Sequence, residues 1–279
     1  MNIKILSDST CDLSPAQLAA LDISLVPLTV VKAGEQFKDG VTITPADIFT
    51  HVAAGGALCS TAANSIGEYA DIFEQYTGYD GVILINIGSG FSSCYQNACL
   101  AAEDFPNVRV IDSQNLSTGQ GLVVLKACEL ARTATDLDAL ADELRAFTGK
   151  VEASFLVDKL DYLVKGGRCS AAAALGANLL NLKPCIEVRD GKMTVVKKYR
   201  GNYAKCLANY VKDRLANRND LDRGTLFVTQ TVVSAECYSA VMAAVAQYGQ
   251  FDQIHETTAG CTVSCHCGPG TLGVLFVRK

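Results

Sequence analysis

A short apolar run that ends in a glycine-rich turn constrains the fold of this chain more than any other stretch. Residues 82–87 read Val-Ile-Leu-Ile-Asn-Ile, and Gly88, Ser89 and Gly90 follow directly. A brief β-branched and apolar run bounded by glycines is typical of a buried strand. The pattern that begins near residue 92 predicts a helix after the turn. We therefore expect a strand–turn–helix unit of the kind found in α/β proteins.

The turn after this strand is a candidate anion site. The first amides of a helix have no partner within the helix and carry the positive end of its dipole, and glycines let a ligand approach the backbone. Ser92 and Ser93 would add hydroxyl donors for a phosphate or a carboxylate. The alternative is that Ser92 only caps its helix. Other residues must converge on the turn to distinguish the two interpretations.

Predicted strands and helices alternate through the first half of the chain. The strands are expected at residues 2–7, 23–31, 82–87 and 108–113, and the helices include residues 66–76, 119–133 and 136–148. This order predicts a parallel sheet covered on both faces, with ligands beyond the carboxyl ends of its strands. Polar residues follow the apparent strands at Asp8, Ser9, Thr61, Ser92 and Asp112. That edge of the sheet is the expected location of a ligand.

The pattern changes near residue 150. Asp190-Gly191 lies between two strand-like runs and is a strong hairpin signal. An alanine-rich helix is predicted at residues 171–180, and the later strands predict a mixed sheet. The fold class is therefore α/β with two α/β domains. We expect a parallel-sheet domain at residues 1–150 and a mixed-sheet domain at residues 151–279.

Composition excludes some classes of function. The 279 residues carry a formal net charge of −5 and no Lys/Arg stripe, which argues against a nucleic-acid partner. Neither a signal-peptide pattern nor an apolar run of membrane-spanning length occurs, so we expect a cytoplasmic protein without stable membrane insertion. The twelve cysteines are then expected to be reduced and buried.

The tail contains three cysteines and a histidine within seven residues: Cys261, Cys265, His266 and Cys267. Structural zinc usually takes paired ligands from two separated loops, so this spacing argues against a metal site. His266 precedes Gly268-Pro269-Gly270 and is expected in a loop, as a donor that faces a ligand. The alternative is a loop histidine that makes only local hydrogen bonds. We predict neither a metal nor a cofactor.

Six motifs occur in a specific order along the chain. They are Asp8-Ser9-Thr10-Cys11-Asp12-Leu13, Thr61 to Ser65, Ser89 to Ala98, Leu160 to Arg168, Leu180-Asn181-Leu182-Lys183-Pro184, and His266-Cys267-Gly268-Pro269-Gly270. In this order and spacing the chain resembles the DegV family, the bacterial fatty-acid-binding subunits of fatty acid kinase. The resemblance extends nearly from end to end.

The resemblance implies a long-chain fatty acid in an apolar tunnel between the two domains. It assigns the carboxylate to Thr61, Ser92 and His266, with nearby backbone amides, and we add Ser93 as a neighbouring hydroxyl. Arg168 and Arg200 match basic positions near the head group or the kinase-docking face. The remaining implication is a partner, the fatty acid kinase catalytic subunit, which would phosphorylate the carboxylate that this chain presents. The chain itself would carry no catalytic residue.

Three positions depart from the family pattern. Ala62 and Asn64 stand in a segment that usually reads Thr-Ser-x-Pro-Ser, and Ser93 stands where the family commonly has glycine. A side chain at Ser93 is expected to narrow the head-group pocket, which would alter the preferred acyl chain.

Two other functions remain open from the sequence. The first is a serine hydrolase acting on an acyl ester, with Ser92 or Ser93 as nucleophile and His266 as base. The segment around Ser92 lacks the second glycine of a nucleophile elbow, which disfavours this function. The second is a phosphate or nucleotide binder, although neither a Walker lysine motif nor a dinucleotide glycine fingerprint occurs.

Overall fold

The computed structural model describes residues 1–170 and 182–279, so the alanine-rich helix predicted at residues 171–180 lies outside the described residues. The described chain is a mixed α/β structure with three sheets. A four-stranded sheet and a three-stranded sheet belong to the first half, and a six-stranded sheet belongs to the second. The predicted fold class is confirmed, with a parallel sheet in the N-terminal part and a mixed sheet in the C-terminal part.

The four-stranded sheet is parallel and has the strand order β2-β1-β6-β7. Its strands are β1 (Ile3–Asp8), β2 (Ser24–Val26), β6 (Gly81–Asn86) and β7 (Val108–Asp112). Every residue of β6 is buried, as expected for a central strand covered on both faces. The strand predicted at residues 82–87 is therefore confirmed, and it lies at the centre of the N-terminal part.

Local sequence signals set the helix starts of the first half. The helices are α1 (Pro15–Ala20), α2 (Pro45–Ala53), α3 (Ile66–Glu74), α4 (Cys94–Ala102), α5 (Thr118–Ala131) and α6 (Leu137–Thr148), and a 3₁₀ turn covers Ser9–Cys11. At the start of α3, Ser65 and Glu68 form a capping box, since each side chain hydrogen-bonds the other residue's backbone amide.

The three-stranded sheet corrects one prediction. It is antiparallel, with the order β4-β3-β5, and consists of β3 (Thr29–Lys32), β4 (Glu35–Lys38) and β5 (Ser60–Ala62). Residues 23–31 were expected to form one strand, but β2 and β3 belong to different sheets. Pro27 lies between them and has no amide hydrogen to continue a sheet ladder.

The six-stranded sheet has the order β10-β9-β8-β13-β11-β12, in which only the pair β11 and β12 is parallel. Its strands are β8 (Val151–Leu156), β9 (Leu182–Arg189), β10 (Lys192–Arg200), β11 (Leu221–Gln230), β12 (Gln253–Thr258) and β13 (Leu272–Arg278). Asp190 and Gly191 join β9 to β10 with positive φ angles, as the hairpin signal predicts. Four further helices are described in this half: α7 (Asp161–Gly166), α8 (Tyr203–Leu215), α9 (Ala235–Tyr248) and α10 (Cys261–Cys267).

The largest apolar core contains residues from both halves of the chain. Helix α5 packs against β1 and β6 of the parallel sheet and against β8 and β13 of the mixed sheet. Its residues Thr118–Val124 are all buried, as expected for a helix enclosed between two sheets. The turn at residues 149–150 coincides with the predicted domain boundary. The division into domains at 1–150 and 151–279 stays a prediction, because this core spans it.

The other face of the six-stranded sheet is covered by α8 and α9, around a second apolar core. Tyr210 of α8 is fully buried there. Its hydroxyl lies 2.6 Å from the Ser154 carbonyl oxygen and 3.0 Å from the Val274 amide nitrogen, and so bridges β8 and β13. Within the described ranges, no helix is long and apolar enough to cross a membrane.

We predict that Tyr210→Phe lowers the free energy of unfolding by about 1–3 kcal/mol, because it removes the buried hydroxyl that hydrogen-bonds the backbone of Ser154 and Val274. Urea unfolding followed by circular dichroism measures the change. Tyr79→Phe is the matched control, since no hydrogen bond to the Tyr79 hydroxyl occurs in the part of the chain that the structure describes. Equal stabilities of the two variants would contradict this account of the bridge.

Candidate functional site

A cavity of about 50 Å³, here called the first cavity, lies where segments of both halves meet. Its polar lining residues come from four segments and are Thr61, Ser92, Arg168, Thr262 and His266. Its apolar wall includes Leu28, Phe91, Leu116, Met193 and Val263. The cavity therefore has an apolar body with a small set of polar groups, an arrangement typical of binding sites for amphipathic ligands.

Thr61 and His266 form the central polar pair of this cavity. Thr61 lies in β5 and His266 lies in α10, and the distance from Thr61 Oγ1 to His266 Nε2 is 2.8 Å. Thr61 pairs with Val30 in the three-stranded sheet, so its backbone position is set by the antiparallel ladder and not by the edge of the parallel sheet. The pair can offer both a hydroxyl and an imidazole nitrogen to a ligand.

His266 is held as a neutral imidazole at physiological pH. Burial, and next the positive charge of Arg168, lower its pKa from the usual 6.5 to about 4. Its Nδ1 atom is buried and has no hydrogen-bond partner within residues 1–170 and 182–279. Gly166 lies beside this atom, and a Cβ added there would be 2.6 Å from Nδ1. The absence of a side chain at Gly166 therefore makes room for the ring.

Ser92 and Ser93 have different surroundings although they are adjacent. Ser92 lines the first cavity, and its hydroxyl donates to Cys94 Sγ at 3.0 Å and accepts from the Cys94 amide at 3.3 Å. Ser92 thus makes a local hydrogen bond at the helix start and also faces the cavity. Ser93 is exposed, occupies the N-cap position of α4 and is not part of the cavity lining.

Other parts of the protein already contact the glycine turn at Ser89 and Gly90. The amide and hydroxyl of Ser89 donate to the Asp112 carboxylate at 3.0 and 2.6 Å. Gly90 packs against the hairpin turn, where a Cβ would lie 2.2 Å from the Gly191 carbonyl oxygen. The amide of Ser89 therefore already has a partner in Asp112. Within residues 88–92, only Phe91 and Ser92 line the cavity.

Arg168 and Arg200, the two basic residues expected near the head group or the docking face, lie in different places. Arg168 lines the first cavity and is exposed, and its guanidinium donates to the Gly166 carbonyl oxygen at 2.9 Å. Arg200 is the last residue of β10, is exposed and does not line the cavity. Only Arg168 is thus placed to affect a ligand in this cavity directly, and it does affect the charge state of His266.

Ala62, Asn64 and Ser93, the three residues that depart from the family pattern, lie in different surroundings. Ala62 lines the first cavity, whereas Asn64 is buried and its carbonyl oxygen accepts from Asn97 Nδ2 at 2.8 Å. The exposed position of Ser93 gives no support to the expectation that its side chain narrows the pocket.

A second cavity of about 30 Å³ adjoins the first, and the two share lining residues at Leu116, Val263 and Cys267. Several hydroxyl residues line it, but their hydroxyls are used within the protein. Thr229 Oγ1, for example, lies 2.6 Å from Thr118 Oγ1, and Thr271 Oγ1 donates to the Cys267 carbonyl oxygen at 2.9 Å. The second cavity therefore presents mainly hydrocarbon to a ligand.

The tail differs from its predicted conformation. His266 was expected in a loop, but Cys261–Cys267 form the helix α10, whose residues pack on β3, β5 and α2. Cys261 and Cys265 contribute to a small apolar core with Val30 and Ile48. Among the described residues, no group of His, Cys, Asp and Glu side chains is arranged to hold a metal ion. Leu28 and Met193 also line the first cavity, and no sequence motif singles them out.

These features define an α/β protein with a largely apolar cavity whose lining includes a hydroxyl–imidazole pair. Residues 2–279 match the family model described as "Uncharacterised protein, DegV family". A DegV domain-containing protein of Deinococcus radiodurans is 33% identical over 276 residues, which are 98% of each chain. The chain therefore belongs to the DegV family, and the resemblance stated from the motifs is confirmed.

Solved structures of relatives have the same fold. A structure described as fatty acid binding of a DegV family protein from Thermus thermophilus aligns over 100% of both chains, with a TM-score of 0.88 and 28% identity. A stearic-acid-binding protein from Eubacterium ventriosum aligns over 99% of this chain and 98% of its own, with a TM-score of 0.83 and 27% identity.

We predict that Gly166→Ala displaces the His266 ring, because the new Cβ would lie 2.6 Å from Nδ1. The variant should lose about 1–3 kcal/mol of unfolding free energy through overpacking. It should also shift the imidazole ¹⁵N resonances of His266 in NMR spectra. Gly67→Ala is the matched control, since nothing lies within 4 Å of its added Cβ. Unchanged His266 resonances in Gly166→Ala would refute this contact.

Proposed function

We propose that this protein binds a long-chain fatty acid, with the carboxylate at Thr61, Ser92 and His266 and the acyl chain between the two halves. The observation that carries the proposal is the hydrogen-bonded Thr61–His266 pair in the lining of a largely apolar cavity. The hydrocarbon surface of the adjoining second cavity supports an acyl chain as its occupant. Relatives at 27–28% identity that are described as binding fatty acids support the same ligand class.

The energetics favour such a ligand. Burial of an acyl chain gains roughly 0.8 kcal/mol per methylene, before the entropic costs of binding. The carboxylate loses its water, and each hydrogen bond to a charged group returns about 1.5–3 kcal/mol. The Thr61 hydroxyl, the Ser92 hydroxyl and the His266 imidazole together provide an adequate set of donors. Ser92 must rotate away from Cys94 to donate to the ligand.

The walls of the two cavities must separate to admit a long chain. A water molecule needs roughly 10–15 Å³ of cavity volume. The two cavities have volumes of only about 50 and 30 Å³. Leu116, Val263 and Cys267 stand between them. In this proposal these side chains move apart when the acyl chain binds, which joins the two cavities into one tunnel.

The partner in this proposal is a separate ATP-dependent fatty acid kinase. The kinase would transfer the terminal phosphoryl group of ATP to the carboxylate, giving acyl phosphate and ADP, so this chain would bind and present its ligand in the cytoplasm. Arg168 and Arg200 are exposed and are the proposed contacts for the head group or the kinase. The motif resemblance described in the sequence analysis implies both this partner and the role of these two arginines.

The geometry favours binding over ester hydrolysis. A nucleophilic serine needs a neighbouring base that a third group orients. Here the Ser92 hydroxyl donates to Cys94, and His266 Nε2 lies against Thr61. The opposite ring nitrogen, Nδ1, has no carboxylate partner within the described ranges. The arrangement suits a carboxylate ligand better than a serine nucleophile.

Thr61→Val and His266→Ala should each weaken palmitate binding by about tenfold or more, since each removes one hydrogen bond to a charged group. Because both groups contact one carboxylate, the losses should not add in the double variant. Isothermal titration calorimetry measures the affinities. Thr133→Val is the control, because Thr133 is exposed and does not line the cavity. Wild-type affinity in both single variants would exclude this pair as the carboxylate site.

Binding should take up a fraction of a proton near pH 6. Without ligand, His266 has a pKa of about 4 and is neutral at that pH. A carboxylate at hydrogen-bond distance favours the imidazolium and raises this pKa, so the complex holds more protons than the unliganded protein. Affinity should therefore increase as the pH falls from about 7 to 6.

Titrations in two buffers of different ionisation enthalpy measure this proton uptake. His266→Gln retains a hydrogen-bonding side chain but cannot titrate in this range, so its uptake should be smaller than that of the wild type. Equal proton uptake by the two proteins would show that His266 does not respond to the ligand charge.

A further inference from the structure

Two carboxyl groups of the first half hold the start of α10, the helix that carries His266. The amide of Gly260, just before the helix, donates to Asp12 Oδ1 at 2.8 Å. The amides of Cys261 and Thr262 donate to the two oxygens of Asp39 at 2.9 and 3.0 Å. The partners are separated by more than 200 residues in the sequence. We call Asp12, Asp39 and these three amides the α10 clasp.

Asp39 accepts more hydrogen bonds in this region than Asp12 does. Its side chain accepts four hydrogen bonds, from two amides of α10 and from the hydroxyls of Ser9 and Thr262, the latter at 2.6 Å. Asp39 is only 4% exposed, so water does not compete freely for these bonds. A carboxylate that accepts from a helix start also interacts favourably with the helix dipole.

Asp12 supports the clasp from the 3₁₀ turn that follows β1. Its Oδ2 accepts from the Ser117 hydroxyl at 2.5 Å, which connects the clasp to the start of α5. Burial raises the pKa of Asp12 to about 8, with the charges of Asp39 and Asp8 adding to the effect. Asp12 therefore supports the clasp through the two hydrogen bonds that its oxygens accept.

The clasp and the ligand site lie on the same short helix. Helix α10 has seven residues, and Thr262, Val263, His266 and Cys267 all line the first cavity. Thr262 is itself a member of the clasp, one helical turn from His266. A shift of the first turn therefore moves the imidazole and also the wall that separates the two cavities. A seven-residue helix has little stability of its own, so its position depends on such contacts.

We infer that Asp39 is a positioning residue for the ligand site: through the start of α10, it places His266 against Thr61. This inference rests on the proposed function for its effect on affinity, but its effect on His266 can be measured without a ligand. Asn has the same shape as Asp, but one of its two terminal groups is an NH₂ donor. In Asp39→Asn this NH₂ group would face a backbone amide of α10, which is also a donor. The clasp would then lose one or more of its hydrogen bonds.

The test compares Asp39→Asn with Asp136→Asn, which changes an exposed carboxylate that caps the start of α6 far along the chain. Asp39→Asn should shift the imidazole ¹⁵N resonances of His266 and weaken palmitate binding by about tenfold. In a His266→Ala background, Asp39→Asn should cause little further loss of affinity. Asp136→Asn should leave both the resonances and the affinity unchanged.

The outcomes separate the two proposals. Unchanged His266 resonances, or losses of affinity that add fully to those of His266→Ala, would overturn the positioning role and leave Asp39 as a purely structural residue. If the wild type does not bind palmitate, the proposed function fails, and the resonance shift alone then decides the inference. If Asp39→Asn does not fold, Ser9→Ala removes one donor to Asp39 and should give a smaller shift in the same direction.

Discussion

The hydrogen bond between Thr61 and His266 is the interaction on which the rest of the site depends. It joins residues 205 positions apart, one on a short sheet of the first half and the other on a helix of the second. The bond exists only while α10 lies against β5, so the packing of the two halves sets the geometry of the cavity. The small core that includes Cys261 and Cys265 contributes to this packing.

Much of the fold follows from local sequence signals. The buried strand at residues 82–87 and the hairpin at Asp190-Gly191 each depend on neighbouring residues, and both are confirmed. The capping box at Ser65 is equally local. The helix at residues 261–267 was missed because its start is stabilised by carboxyl groups more than 200 residues away. The break near Pro27 was missed because the apolar pattern continues through it.

The candidate site was predictable only in part. The family resemblance pointed to Thr61, Ser92 and His266, and the structure brings these three to one cavity. Ser93 and Arg200 lie outside its lining, because neighbouring residues at a turn or at a strand end face different sides. Their proposed roles as ligand or docking residues stay predictions. The neutral state of His266 could not be inferred from sequence, since it follows from burial and from the position of Arg168.

Native mass spectrometry of freshly purified protein, followed by denaturation and identification of any released molecule, tests the central claim most directly. The account predicts one long-chain fatty acid per chain, retained by the wild type and depleted in the Thr61→Val, His266→Ala double variant. A protein that carries no fatty acid and also takes up none when palmitate or oleate is added would contradict it.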